Sequence, residues 1–491
     1  MLTYNQLTPS ERALWDAFPE GRAVDLRSGD PGTDDPAGDA VWPEERSVRA
    51  AVVAALLLGA NDPPSGSVPA LRLSGARITG RLDLSGAELA HALSLEDCRL
   101  DEAVSLVGTT ARSVRVQGCR LPGLDARLAR FDGSVRLQGS VLDGEGLLLA
   151  NATVAGEVKL SDARISGVGE WAVMAGGLTT EGAMFAERLT TVGGLRLPGA
   201  ALPRGLFLTG AALRNPGGAA LVADQLSAST VDCSGGFTAE GTVRLRKARI
   251  EDLLTFEGAL LEGELVAIAL QAGDLDLRTA APPTGTVDLT SARVTSYRDG
   301  EDTWPSRILV EGFVYGSLDS GTTFDRGDLH RRLAWIARHP GYSPQPYEQL
   351  AFWYRQMGHE TYARRVLLEK QRRHRRTLHF TGRLWGRMLD TTVGYGFRPW
   401  LAGLWLTALT LCGTLVFRAH SPTPVKPGEG APFQPFVYTL DLLIPFGGLG
   451  HRTAWYWTDD VSQWLAYALV AAGWVLTTAV VAGVTRILSR N

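Results

Sequence analysis

The residues of this chain best placed to do chemistry are Thr391-Thr-Val-Gly-Tyr-Gly396, an order in which stacked backbone carbonyls can replace the hydration shell of a potassium ion. A filter of that kind must lie on the outer side of a membrane, beyond one spanning helix and a short pore helix. Here the six residues follow a run of arginines and precede the first long apolar segment, so they read as a glycine-containing turn at the inner edge of a bilayer. A second candidate is Asp441, apolar on both sides, within Phe436-Val-Tyr-Thr-Leu-Asp-Leu-Leu-Ile-Pro-Phe446 and ahead of Gly447, Gly448 and Gly450. Such a carboxylate can belong to a ring that lines a pore, or can lie at the surface of an interfacial helix; the second reading is favoured. Tyr438 and Pro445 are the other candidate functional positions of this segment.

Enzyme chemistry finds little to use. The eight histidines are scattered, and four of them (His339, His359, His374 and His379) sit in a basic region where solvated charge explains them. Cys98, Cys119, Cys233 and Cys412 form no C-x-x-C pair and read as small buried hydrophobes in a reducing compartment. The nearest glycine cluster, Gly167-Val-Gly-Glu, lacks the strand-to-helix setting a dinucleotide fingerprint needs. No catalytic, cofactor-binding or metal-binding residue is assigned, no cofactor is expected, and the enzyme reading leans to no. The net charge of −3 is too small to imply a nucleic-acid partner.

These residues hang on a repeat. From Leu71 onward a template of apolar-x-apolar-x-x-small-x-apolar recurs: Leu71/Leu73/Ala76/Ile78, Leu82/Leu84/Ala87/Leu89, Leu93/Leu95/Cys98/Leu100, and on to Val287/Leu289/Ala292/Val294. The small residues mostly return about every eleven residues. Apolar residues in alternating pairs indicate extended chain rather than helix. A strand of two or three residues cannot bury a face alone, but stacking one coil on the next buries a continuous column of Leu, Val and Ile. Two units are expected to make one four-sided coil, so residues 68–320 predict roughly eleven coils at ~4.8 Å each. Stretches near 168–194 and 215–240 lose the pattern and read as irregular coils rather than side loops. Residues 1–67 read as a helical cap, with Pro43-Glu44-Glu45 opening a helix whose apolar body is Val48 to Leu58.

The corners GARI, GAEL, DCRL, GCRL and DARI resemble those of pentapeptide-repeat proteins. The resemblance implies a right-handed quadrilateral parallel β-helix over residues 68–324. Some such rods mimic DNA; that would want an acidic face, and residues 68–320 mix 31 acidic with 24 basic side chains.

After Phe324 the alternation stops, and residues 325–398 predict a basic α-helical neck. Asp328–Arg338, Pro346–Met357 and Glu360–Arg376 read as helices, the last two resembling a single tetratricopeptide-type hairpin. Residues 362–398 carry ten Arg or Lys against two carboxylates. Arg372, Arg373, Arg375, Arg376, Arg383 and Arg387 are the expected contacts to anionic inner-leaflet lipids. In residues 399–491 two uncharged segments, Trp400–Phe417 and Val461–Val484, are long enough to cross a hydrocarbon core. Cationic flanks predict both termini on the cytoplasmic side. Residues 436–446, too short to span, suit an interfacial or re-entrant helix between them, and small residues such as Ala468 and Ala472 suit homo-oligomerisation. This module resembles one that ends many bacterial pentapeptide-type proteins, implying a multi-pass protein of the bacterial inner membrane. Related actinobacterial chains are sometimes labelled membrane-associated oxidoreductases, a label to which the residues here lend nothing. The expectation is an anchored cytoplasmic scaffold with a protein partner on the solenoid. An oligomeric pore is the alternative.

Overall fold

The computed structural model describes the chain except residues 1–2, 39, 62–65, 320–325, 378, 380–399, 421, 427–431, 446–447 and 489–491. They fall into two units, Met1–Gly341 and Tyr342–Asn491.

The first unit is a parallel β-solenoid of about eleven turns. One pairing column runs its whole length: Leu93 lies over Leu71, Val114 over Leu93, Val135 over Val114, Val158 over Val135, Met184 over Val158, Leu206 over Met184 and so on to Leu318 over Tyr297. Three further columns accompany it, led through Ile78–Leu100, Leu124–Leu147 and Leu89–Ala111. All of these residues are buried, and so are the small corner residues Ala76, Cys98, Cys119, Ser140, Ala163, Ala211, Ala248 and Ala292. The template is therefore the inner wall. Each buried Leu or Val contributes about 1.5–3 kcal/mol, which no isolated two-residue strand could collect.

The residue before the small one explains the sequence of the corners. Gly75, Gly86, Gly118, Gly139 and Gly210 hold left-handed backbone there, and Asp97, Asn151 and Asp162 do the same with short polar side chains. Glycine reaches this conformation without a Cβ clash, and Asp or Asn at small cost. Leu128, Arg188, Gln225, Lys247, Ala269 and Ser291 occupy it too, each at an energetic cost that the stacking on either side must offset.

The irregular stretches stay inside the coils. Between two columns the register slips at Ser166/Trp171 and Arg214/Ala219, so extra residues bulge outward while pairing resumes beyond them. The Trp171 ring lies against Gly194, where an added Cβ would fall 2.7 Å from it.

Both ends of the stack are covered. At the first, strands Ala23–Asp25 and Ser47–Arg49 pair with 72–74 and 77–79, and helices α1 (Pro9–Ala17) and α2 (Ala50–Leu57) pack outside them. The helix expected to open at Pro43 is broken: Glu44–Arg46 makes a single 3-10 turn, Ser47–Arg49 is recruited into the sheet, and the α-helix begins only at Ala50. Thr8 and Glu11 form a capping box on α1, and Glu11 also takes the Arg49 amide at 3.0 Å and its guanidinium at 2.6 Å. Burial pushes the Glu11 carboxyl up, but the Arg49 side chain and the Thr8 and Arg49 amides outweigh it and hold the carboxyl below its usual value.

At the far end α3 (Arg326–Ala337) closes the stack. Its Trp335 lies 5.7 Å from the ring of Tyr297 and 6.5 Å from that of Phe313. Its Arg332, 1% exposed, donates to both oxygens of Asp299 at 2.8 and 2.9 Å, and Trp304 Nε1 donates to the same carboxylate at 2.9 Å. The unit boundary at Gly341 thus leaves this helix with the rod rather than with the neck.

In the second unit, α4 (Gln345–Gln356) and α5 (Glu360–Thr377) form a hairpin. Among the described residues the longer helices that follow are α6 (Trp400–Ala419), α7 (Pro435–Leu443) and α8 (Asp460–Leu488).

Candidate functional site

The apolar module built by α6, α7 and α8 holds Tyr438, Asp441 and Pro445. α7 is seated by two glycines. A Cβ on Gly413 of α6 would fall 2.5 Å from Thr439 Cγ2, and one on Gly473 of α8 would fall 2.3 Å from the Leu443 carbonyl oxygen. Helix axes approach this closely only where the side chain is a hydrogen. Around this seam Phe417, Tyr438, Leu442, Leu443, Trp457, Ala466 and Leu469 form one buried cluster. Trp457 stacks on Phe417 at 4.9 Å and donates its indole N–H to the Tyr438 hydroxyl at 3.0 Å. Tyr438 is therefore a packing residue with its polar end satisfied.

Asp441 is fully buried. One oxygen accepts the Leu449 amide at 2.6 Å and the other the Arg452 amide at 2.8 Å, so the carboxylate pins the turn at Gly450 to the side of α7. The interfacial-surface position favoured from the sequence does not match this burial. Local apolar flanks cannot show that residues eight and eleven positions later fold back to supply two donors. Pro445 is half-buried just beyond the end of α7.

The two long helices bury one face and expose another, and both faces are apolar. On α8, Ala466, Leu469 and Leu476 are buried, whereas Val461, Trp464, Tyr467, Trp474 and Val475 are exposed, Trp464 by 72%. On α6, Thr410 and Phe417 point inward while Leu404, Trp405, Leu411 and Leu415 point outward. Among the described residues one segment, Asp460–Thr478, is long and apolar enough to cross a membrane, and only 28% of its apolar window is buried. The apolar stretch of the other helix, Gly403–Ala419, is shorter. The sequence led to two crossings of similar standing, and the structure places one candidate span.

The basic residues Arg372, Arg373, Arg375 and Arg376 lie in the C-terminal half of α5, whose Ala363, Val366 and Leu367 are buried. Arg373 reaches Glu369 at 3.5 Å, and Lys370 is bonded to Glu348 across the hairpin. Arg383, Arg387 and the turn 391–396 lie outside the described residues.

In the solenoid, Cys98, Cys119 and Cys233 are sealed in the wall, whereas Cys412 is exposed on α6. Burial pushes the Cys119 and Cys233 thiols up, away from the thiolate form that reacts or binds metal. Among the described residues no group of three or more His, Cys, Asp or Glu is placed to hold a metal ion. A polar depression lined by Asp25, Arg27, Asp34 and Asp97 lies beside the first coils. Its carboxylates are already engaged: Arg27 binds Asp25 and Asp97, and Asp34 takes the Ser28 and Gly29 amides.

Neither a family model, nor a curated protein, nor a solved structure matches this chain.

Proposed function

We infer that the chain is an anchored scaffold: a solenoid rod that presents a protein-binding surface and is held at a bilayer by its C-terminal helices. The observation that carries this reading is the double apolar face of α8. A core helix of a water-soluble protein buries its apolar residues, whereas this one turns Trp464, Tyr467, Trp474 and Val475 outward. In water those side chains would form an apolar patch of the kind that drives association; in a hydrocarbon core they need no cover.

The finer picture is a right-handed four-sided coil, two membrane crossings, both termini cytoplasmic, and the arginines of α5 facing anionic lipid of a bacterial inner membrane. The four pairing columns of the rod favour a four-sided coil. The apolar outward face that α6 shares with α8 favours the second. Homo-oligomerisation through the helices is part of the same reading. Its test is a membrane-impermeant thiol reagent applied to sealed cells that carry single cysteines. Positions 422–426 and 432–434 should label and positions on the rod should not; labelling of the rod in sealed cells overturns the orientation. Extraction of the chain by alkaline carbonate, without detergent, overturns the anchor.

The second reading is an oligomeric pore, favoured by a short helix seated between two long ones. With both oxygens of Asp441 bound to backbone amides, a pore would have to be lined by other groups. Planar-bilayer recording decides it: ion-selective currents from the purified protein would replace the scaffold with a channel.

A further inference from the structure

One face of the solenoid carries a graded ladder. In the column that runs the length of the rod, the residue between two wall positions faces away from the wall once per coil, and in ten of the twelve coils it is exposed or half-buried. The first five coils put Arg72, Ser94, Arg115, Arg136 and Lys159 there. The next two put Phe185 and Phe207, stacked at 5.3 Å and 14°. The last five put Asp232, Thr255, Asp276, Arg298 and Asp319, of which Thr255 and Asp276 are covered by neighbouring side chains and only 6% and 2% exposed. Cations thus dominate the exposed rungs of one half, two aromatic rings the middle, and Asp232 and Asp319, with Arg298 between them, the exposed rungs of the other half.

A ladder of twelve rungs with that order is complementary to its own reverse. Turned end for end about a two-fold axis between the sixth and seventh rungs, Phe185 meets the second copy's Phe207 and Lys159 meets its Asp232. Arg72 then meets Asp319. Arg298, the one cation of the acidic half of the ladder, meets Ser94, and Arg136 meets Thr255. Arg115 meets the exposed Glu257 and the Arg278 that covers the buried Asp276, a group that with Asp276 carries one excess negative charge. In a parallel pairing every charge would instead meet its like. Two residues before the rings the chain carries only the small Ala183 and Gly205, the Phe207 ring lies 3.2 Å from where a Gly205 Cβ would be, and Lys159 reaches over the Phe185 ring at 5.2 Å.

We propose that this face pairs with the same face of a second copy of the chain, antiparallel, as an isologous two-fold interface centred on Phe185 and Phe207. Twelve rungs at ~4.8 Å and a strip ~15 Å wide come to about 800 Å² per partner, the size of a standard specific interface. Closed two-fold symmetry needs a self-complementary patch, which the ladder supplies. Local pairs such as Lys159–Glu157 at 2.9 Å and Arg298–Asp274 at 3.4 Å are surface pairs worth little, so partners can exchange on association. The interface lies wholly on the rod and does not depend on the membrane reading.

The test uses the full chain in detergent or nanodiscs. Lys159→Asp alone and Asp232→Lys alone should each raise the dimer dissociation constant at least tenfold, since each brings like charges together. The double variant restores opposite charges and should return within about threefold of the parent. Arg136→Glu, opposite Thr255, should cost less than about threefold. A spin label at position 72 in a Cys412→Ser background should report a separation of about 53 Å, eleven steps of ~4.8 Å, because the two labels lie at opposite ends of the pair. A monomer at all concentrations, a dimer indifferent to Lys159→Asp, failure of the double variant to recover, or a short separation between the labels each overturns the proposal.

Discussion

Asp299→Asn should unzip the solenoid from one end only. Arg332 lies 1% exposed with two bonds to Asp299, and Trp304 donates a third to the same carboxylate. Removing the negative charge leaves a guanidinium in the interior without its counter-ion, a loss of about 3–5 kcal/mol. That penalty falls on the docking of α3, which covers the last coil through Trp335 against Tyr297 and Phe313. In a stack whose coils touch only their neighbours, a local loss propagates as fraying rather than as a shift of the whole. By energy alone, amides of Val314–Asp319 and Arg293–Arg298 should exchange hydrogen about two to three and a half powers of ten faster, at about 1.4 kcal/mol per factor of ten. Amides before Val243 should be unchanged. The double variant Asp299→Leu with Arg332→Met, which removes both charges, should recover most of the protection. Hydrogen exchange with mass spectrometry on the full chain reads this directly. Uniform acceleration along the rod, or unchanged exchange in its last two coils, would refute the view that this ion pair holds the cap.

Three other expectations concern the opposite cap, the corners and the apolar module. Glu11→Gln should cost about 1–3 kcal/mol, because the amide replaces a buried charged acceptor. The folded carboxyl sits below the ordinary value of about 4.5, so its stabilisation is complete above that pH and fades as pH falls through the lower folded value. Acid titration of hydrogen exchange in 70–79 should show this loss in the parent and not in the variant. Leu128→Gly should be neutral or stabilising by up to about 1 kcal/mol, because it relieves left-handed backbone at φ 59°. Gly118→Leu should destabilise, since its Cβ would lie 2.3 Å from an Asp97 oxygen; urea midpoints measure both. Gly473→Val should unseat α7 and break the Trp457–Tyr438 bond, read as a shift of tryptophan emission, and unchanged emission would contradict the close packing at Leu443.

The sequence by itself determined the coil. Leu71/Leu73/Ala76/Ile78 and its copies carry their geometry locally, because alternation selects extended chain and a small residue after Gly or Asp selects the left-handed corner. Helices α4 and α5 were legible for the same reason, each marked by its own turn residues and apolar stripe. The capping box Thr8-x-x-Glu11 with Pro9 likewise marks the start of α1 in the letters alone.

What the tertiary structure decided was everything that depends on residues far apart in the chain. Asp299 and Arg332, thirty-three positions apart, look like ordinary surface charges until α3 folds onto the last coil. Asp441 has apolar neighbours in the chain, and only the turn at Gly450 reveals that backbone amides satisfy it. Ser47–Arg49 forms a strand rather than the start of a helix because an open sheet edge at 77–79 needs a partner more than a helix needs one further turn. Residues near 168–194 and 215–240 lose the pattern in sequence yet keep their place in the stack, because parallel pairing on both sides of a bulge fixes the coil whatever length the bulge takes. Local preference sets the conformation of each rung, and only stacking sets which rungs share a face.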